Sequence, residues 1–309
     1  MEYVLTANAL GKSYRHFQAL NNLSMHIPKG AIYGFVGKNG SGKTTLIRLI
    51  CGLQKPTAGS YTLYGIPNTE KEIQKTRGRI GAVVETPSLY LNMTAEDNLK
   101  EQYRILGIPS FQGIPGLLKL VGLENTGKKK ARHFSLGMRQ RLGIAIALCG
   151  SPDFLVLDEP INGLDPQGII EIRELILKLN KERQITVLIS SHILDELSRL
   201  ATHYGFIDHG HIVKEISAAE LENASRKCIR LEVSDIKTFA RVAESLKLEY
   251  SVLSATHADV FTKITATGLI VPLAQEGCEV ISVQEHDESL ESYYVKLLGG
   301  NQYEQTFTC

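Results

Sequence analysis

Several things are scarce in this sequence, and each scarcity closes off a class of protein. Its five cysteines (Cys51, Cys149, Cys228, Cys278 and Cys309) are scattered, with no CxxC pairing. That excludes a disulfide framework and a paired-cysteine zinc site, and it suits a reducing compartment. Cys51 and Cys149 fall in helical apolar patterns and read as small buried residues. Charge of one sign is also lacking: 34 Lys+Arg face 33 Asp+Glu, a formal net charge of +1. No global electrostatic case therefore exists for nucleic acid or an anionic membrane as partner. The longest uncharged apolar runs, such as 142–152, fall short of the roughly 20 residues a membrane helix needs. The opening MEYVLTANAL has no basic segment followed by an apolar core, so it does not read as a secretory leader. Internal repeats and low-complexity tracts are absent.

At 309 residues the chain has room for about two domains. Strands are expected over 3–8 and 23–27, then in the buried run "AIYGFV". "GKNGSGKTTLIRLICGL" follows as a helix with Leu46, Leu49, Ile50 and Leu53 on one face. Residues 85–134 read as mostly helical, with Thr94 as an N-cap, interrupted at Gly107, Pro109 and 113–116. The pattern then alternates: strand "FLVLDE", helix 168–183 entered at Asp165-Pro166, strand "ITVLISS", helix 193–204, strand "GFIDHG". Strands separated by helices of that length argue for a mostly parallel α/β sheet. A helix over 218–224, capped by Ser217 and Glu220, leads to a change of texture. From about 226 the order is strand 228–233, helix around 236–246, strands 250–255 and 259–264, helix 269–275 bent at Pro272, strand 278–283 and helix 288–298. That βαββαβ order predicts a second, small domain over 226–299, with 300–309 a flexible tail.

The chemistry-bearing motifs lie in the first part. Gly37-Lys38-Asn39-Gly40-Ser41-Gly42-Lys43-Thr44 matches G-x-x-x-x-G-K-[ST] between a strand and a helix, the context of a phosphate-binding loop. Its glycines let backbone N–H groups face a phosphate, Lys43 supplies a point charge, and the Thr44 hydroxyl can ligate Mg²⁺. "FLVLDEP" ends a buried strand in Asp158, suited to hold Mg²⁺ through water, and Glu159, suited to polarise an attacking water. His192 closes the next parallel strand, where ligands of such sheets collect. Ser135 and Gly137, in "FSLGMRQR", open a helix whose bare N–H groups attract anions.

Taken in order, these residues resemble the ATP-binding cassette (ABC) ATPases over about residues 1–220. The resemblance implies an α/β fold: a P-loop NTPase core with a mostly parallel sheet, an antiparallel β subdomain and a helical subdomain at about 86–150, followed here by the small C-terminal α+β domain. It implies ATP and Mg²⁺ as ligands, with Asn39, Gly40, Ser41, Gly42 and Thr45 joining Gly37, Lys43 and Thr44 around the nucleotide. It also implies that Ser135 and Gly137 face the nucleotide of a second copy, that Asp165 lies at that interface, and that Tyr14 stacks on adenine. Glu85 falls where most members carry a glutamine touching Mg²⁺ and the lytic water, and it is expected to serve both as catalytic group and as metal ligand. Glu85, "SLGMRQR" and the small C-terminal domain look like the bacitracin and lantibiotic exporter branch. The implied partners are a second copy and multi-span permease subunits, with membrane contact only through the permease, on the cytoplasmic face. Two rival readings stay open at this point: a soluble non-transport ABC ATPase, and a non-catalytic ATP-driven dimerisation switch. Lys128, Lys129, Lys130 and Arg132 form a basic run that reads as a solvated loop.

Overall fold

The chain opens with two twelve-residue strands, β1 (Tyr3–Tyr14) and β2 (Phe17–Pro28), paired antiparallel around Arg15 and His16. Both exceed the expected 3–8 and 23–27. Ala9 and Asn22 take positive φ (49° and 52°) at shifts of register, which break the two-residue alternation that marks a strand in sequence. In this computed structural model residues 2–224, 227–262, 264–287 and 290–298 are described. Two compact units divide after Ala218.

In the first unit, β3 (Ile32–Val36) is buried at all five residues and runs into α1 (Lys43–Ile50). β4 (Ala58–Leu63) and β5 (Ile66–Pro67) then complete an antiparallel sheet of order β2-β1-β4-β5. Next come α2 (Ile73–Arg77), β6 (Ile80–Val83), α3 (Ala95–Ile105) and α4 (Ile114–Leu120). The segment expected to be mostly helical is more broken than its apolar spacing suggested, because Gly107, Gly122 and Gly127 take positive φ between its pieces. Thr94 caps α3 through the Asp97 N–H, as expected.

The remaining elements of this unit are α5 (Leu136–Leu148), β7 (Phe154–Asp158), α6 (Pro166–Arg183), β8 (Thr186–Ser191), α7 (Leu194–Ser198), β9 (His203–Asp208) and β10 (His211–Ser217). The helix expected over 193–204 is corrected here. It stops at Ser198, the Thr202 N–H bonds Ile32 O at 2.8 Å, and Tyr204 pairs with Gly34 inside the sheet. The six-stranded sheet has the order β10-β9-β3-β8-β7-β6, parallel from β9 to β6 with β10 antiparallel at one edge. Every residue of β3, β7 and β8 is buried, as covered parallel strands require. The topology sets the ends of these three strands side by side, with Val36 opposite Ser191 and Asp158 opposite Ser190.

The second unit takes in most of α8 (Ala218–Ala224), then β11 (Lys227–Val233), α9 (Ile236–Ser245), β12 (Tyr250–Val252), β13 (His257–Val260), α10 (Ala266–Gln275), β14 (Val280–Asp287) and α11 (Leu290–Leu297). Its sheet is antiparallel, β12-β13-β11-β14, the interleaved order of a split βαβ pair. Leu231, Val233, Phe239, Val242, Leu269 and Leu273 form its core. α10 starts earlier than expected, capped by the Thr265 hydroxyl, and continues through Pro272. The expected starts at 226 and 288 and the tail 300–309 lie outside the described residues.

Candidate functional site

Between β3 and α1 the backbone takes a path that only glycine tolerates. Gly40 and Gly42 lie at φ 80° and 112°, and a Cβ on Gly42 would come within 2.6 Å of Ala19 O. A Cβ on Gly37 would meet Ile207 and Ser41 Oγ, also at 2.6 Å. Asn39 is exposed at the bend and Thr45 half-buried in the first turn of α1. Lys43, 5% exposed, turns back over the loop. Its Nζ donates to Gly37 O at 2.6 Å and Lys38 O at 3.1 Å, and pairs with Glu159 Oε1 at 3.2 Å. Ser41 Oγ is buried in the same loop with no hydrogen-bond partner.

β7 brings Asp158 and Glu159 up against this loop. Asp158, 1% exposed, accepts from Thr44 Oγ1 at 2.8 Å on one oxygen and from Ser190 Oγ at 2.6 Å on the other. Ser190 Oγ in turn accepts the Glu159 N–H at 2.9 Å. Glu159 sits at φ 49°, a conformation that costs about 1–3 kcal/mol and persists only where its surroundings hold it. That turn carries its carboxylate off the strand line, so that Oε1 meets Lys43 and Oε2 meets His192 Nδ1 at 2.7 Å. A carboxylate only accepts, so the imidazole proton lies on Nδ1.

The other expected residues stand apart from this cluster. The Tyr14 hydroxyl donates to Gln54, and its ring, 37% exposed, lies 5.1 Å from Lys12 Nζ. Glu85, at φ 60°, is paired with Arg48 on α1, and among the described residues no hydrogen bond or ion pair joins it to Thr44, Asp158 or Glu159. Ser135 caps α5 by accepting the Met138 N–H at 3.2 Å. Asp165 caps α6 by accepting the Gly168 N–H at 3.0 Å. These two helix starts adjoin: a Cβ on Gly137 would stand 3.8 Å from Gly168 Cα, and one on Gly163 3.4 Å from Leu136. No hydrogen bond or ion pair among the described residues joins Ser135, Gly137 or Asp165 to the Lys43 cluster. Ion pairs fasten α6 to its neighbours, Arg141–Glu171 at 3.1 Å to α5 and Arg173–Glu196 at 3.0 Å to α7.

Sequence reasoning missed Ser190, Arg48 and Gln54. Only Ser190 left a signal, a polar pair closing the apolar strand "ITVLISS". Cys51, just after α1, is half-buried. Burial pushes the Cys51 thiol up to about 12, opposed by the Arg77 guanidinium and helped by the Asp158 carboxylate.

A glycine-built anion cradle, a hydroxyl–carboxylate pair and a carboxylate–imidazole pair at the carboxyl edge of a parallel sheet define a P-loop nucleoside triphosphatase. The ABC transporter family pattern matches residues 20–162. The chain is 38% identical over 305 residues to the bacitracin transport ATP-binding protein BcrA of Enterococcus faecalis, covering 97% of this chain and 98% of the relative. It is 45% identical over 212 residues to the lantibiotic transport ATP-binding protein SrtF of Streptococcus pyogenes, covering 69% and 90%. Among solved structures, the dimeric post-hydrolysis state of the ATP-binding cassette MJ0796 bound to ADP and Pi matches with a TM-score of 0.63 and 26% identity, over 69% of this chain and 98% of that one. The chain belongs to the ABC transporter family and is an ATP-binding, ATP-hydrolysing member of it. No helix among the described residues is long and apolar enough to cross a membrane.

Proposed function

We propose that two copies of this chain sandwich two ATP molecules and power a separately encoded multi-span permease at the cytoplasmic face of the membrane, with an antimicrobial peptide of the bacitracin or lantibiotic kind as cargo. The cargo rests on the names of the relatives that match along most of their length. The chemistry rests on one observation: Lys43, Thr44, Asp158, Glu159 and His192 form a single chain of contacts through Ser190.

Thr44 Oγ1 and Asp158 Oδ2, 2.8 Å apart, are hard oxygen donors of the kind Mg²⁺ selects. No group of three or more His, Cys, Asp or Glu side chains among the described residues could hold a metal by itself, so these donors suit an ion that arrives on phosphate. Mg²⁺, when bound, neutralises charge on the β- and γ-phosphate oxygens. Lys43 exchanges the Gly37 and Lys38 carbonyls and Glu159 for those oxygens, and the orphaned Ser41 hydroxyl donates to the phosphate. The exchange frees Glu159 Oε1 to accept a hydrogen bond from the attacking water and draw off its proton. His192 keeps hold of Oε2 and stabilises the charge that develops at the γ-phosphate. Tyr14 stacks on adenine. Ser135, Gly137 and the α5 dipole complete the nucleotide site of the second copy, with Asp165 beside them. Glu85 reaches water or Mg²⁺ only by releasing Arg48, so its share is the smallest. The stretch after Glu85, about 86–99, passes the closing movement to the permease.

The test is phosphate release by the purified chain, together with bacitracin resistance of cells that express it alongside a multi-span permease of the bacitracin-transport kind. Hydrolysis abolished by EDTA and restored by Mg²⁺, with resistance lost in the Lys43→Ala variant, is expected. Hydrolysis indifferent to EDTA would remove the Mg²⁺ assignment, and unchanged resistance would remove the cargo.

A further inference from the structure

α5 and α6 adjoin at their starts through glycine. A Cβ on Gly137 would stand 3.8 Å from Gly168 Cα, so the two backbones approach there with no side chain of either residue between them. The polar lock lies one turn further along: Arg141, four residues after Gly137, pairs through Nη2 with Glu171, three residues after Gly168, at 3.1 Å. The same guanidinium closes α4, its Nη1 donating to Val121 O at 3.0 Å and to Gly122 O at 3.2 Å. The Arg141 side chain is 16% exposed, and its Nε is buried with no hydrogen-bond partner among the described residues. A buried donor left unpaired is unfavourable, which marks a guanidinium placed by its other partners. Two residues beyond Glu171, and so on the opposite face of α6, Arg173 pairs with Glu196 of α7 at 3.0 Å. α6 is thereby anchored to the element that follows His192, and Arg141 sets α5 and the end of α4 against it.

We propose that Arg141, through Glu171, is a positioning residue for the half-site that α5 offers to the nucleotide of the second copy. The assignment rests on the two-copy reading above and adds what holds that half in place. Ser135 and Gly137 precede Arg141 by six and four residues, about 9 and 6 Å along the α5 axis. Over that distance a helix in a packed interior moves as a rod, so a shift at the ion pair reaches the Ser135 hydroxyl and the Gly137 N–H. A displacement of about 1 Å at groups that meet phosphate costs as much as about a hundredfold in rate. Among the described residues Arg141 has no hydrogen bond or ion pair to Lys43, Thr44, Asp158, Glu159 or His192, so its loss spares the half that binds the protomer's own ATP.

The experiment measures phosphate release by Arg141→Met, alone and in equal mixtures with Lys43→Ala or with Ser135→Asp. A mixture of Lys43→Ala with Ser135→Asp, which spoils the helix half by its negative charge, serves as the reference. Alone, Arg141→Met loses about tenfold or more in phosphate release, while ATP binding by the isolated chain holds. Lys43→Ala brings an intact helix half, so mixing with it restores phosphate release to the reference level. Mixing with Ser135→Asp, whose helix half is also spoiled, restores nothing. Glu171→Lys, on a half-exposed side chain and with the Arg141 hold on α4 kept, shows the same pattern. Rescue by Ser135→Asp instead would assign Arg141 to its own protomer's ATP and overturn the proposal. Rescue by neither, with the reference mixture active, would reduce Arg141 to support of the fold and overturn it equally. Normal turnover in Glu171→Lys would remove the ion pair from the role and sink the proposal as well. If the reference mixture itself stayed inactive with mixed dimers demonstrated, the two-copy reading would fail and this assignment with it.

Discussion

At the ends of β3, β7 and β8 the charged side chains meet other side chains of the same protomer, whereas at the starts of α5 and α6 the Ser135 and Asp165 caps meet only their own helices. Asp158 has both oxygens occupied by Thr44 and Ser190, and Glu159 has its two divided between Lys43 and His192. Among the described residues Ser135 and Asp165 do no more than cap, with Leu136 49% exposed beside them and no cation paired with either one. The first cluster is a closed circuit that phosphate must open. The second is a pair of adjoining helix N-termini, one capped by the Ser135 hydroxyl and the other by the Asp165 carboxylate. The difference supports the proposal that one protomer carries two unlike halves of a site.

The largest effect expected from breaking this arrangement is at Glu159. Glu159→Gln removes the base and weakens the hold on Lys43, so phosphate release falls by about a hundredfold or more while ATP binding is kept or tightened. Light scattering with ATP should then find a stable dimer, and near-normal turnover would remove Glu159 from its role. Next comes Ser135. Ser135→Asp keeps a competent N-cap but sets a negative charge against phosphate, so hydrolysis is lost while melting temperature and nucleotide binding by the isolated chain hold. A parallel loss of nucleotide binding would mean that the second cluster serves its own protomer's ATP. Glu85→Gln should change hydrolysis by no more than about fivefold, because an exposed ion pair with Arg48 contributes at most about 1 kcal/mol. A larger change would place Glu85 inside the first cluster.

The smallest effect lies outside both clusters. Burial raises the Asp153 carboxyl, but the Arg79 and Tyr64 hydrogen bonds outweigh it, and its pKa in the folded chain is depressed. A depressed carboxylate adds stability above its unfolded pKa, about 3.9, and that contribution is lost as pH falls through the folded value. Arg79→Gln should therefore lower the melting temperature slightly at pH 7, and the gap from wild type should close below about pH 4. A gap that widens in acid would reverse the sign.

What the sequence disclosed follows the same division. Lys43, Thr44, Asp158, Glu159 and His192 are legible because phosphate chemistry demands those residue types where buried strands end. Ser190 was not, since its role depends on β7 lying beside β8, a pairing no local pattern records. Arg48 and Gln54 escaped for the same reason, their partners being 37 and 40 residues away along the chain. The parallel core stood out through its continuous apolar runs, whereas β5 and β10 lie at the edges of their sheets and β4 is only half-buried, so they left no such mark. α7 was overextended because Leu194, Leu197, Leu200 and Ala201 keep helical spacing past the point where the sheet captures Thr202.

Mixing two inactive variants tests most directly whether the halves belong to different protomers. Lys43→Ala spoils only the phosphate-loop half and Ser135→Asp only the helix half, and each alone should hydrolyse almost nothing. If the halves meet across the dimer, combining the two proteins rebuilds one intact site in every mixed pair, and phosphate release should reappear, rising with the proportion mixed. A mixture as inactive as its components, with mixed dimers demonstrated, would contradict the account.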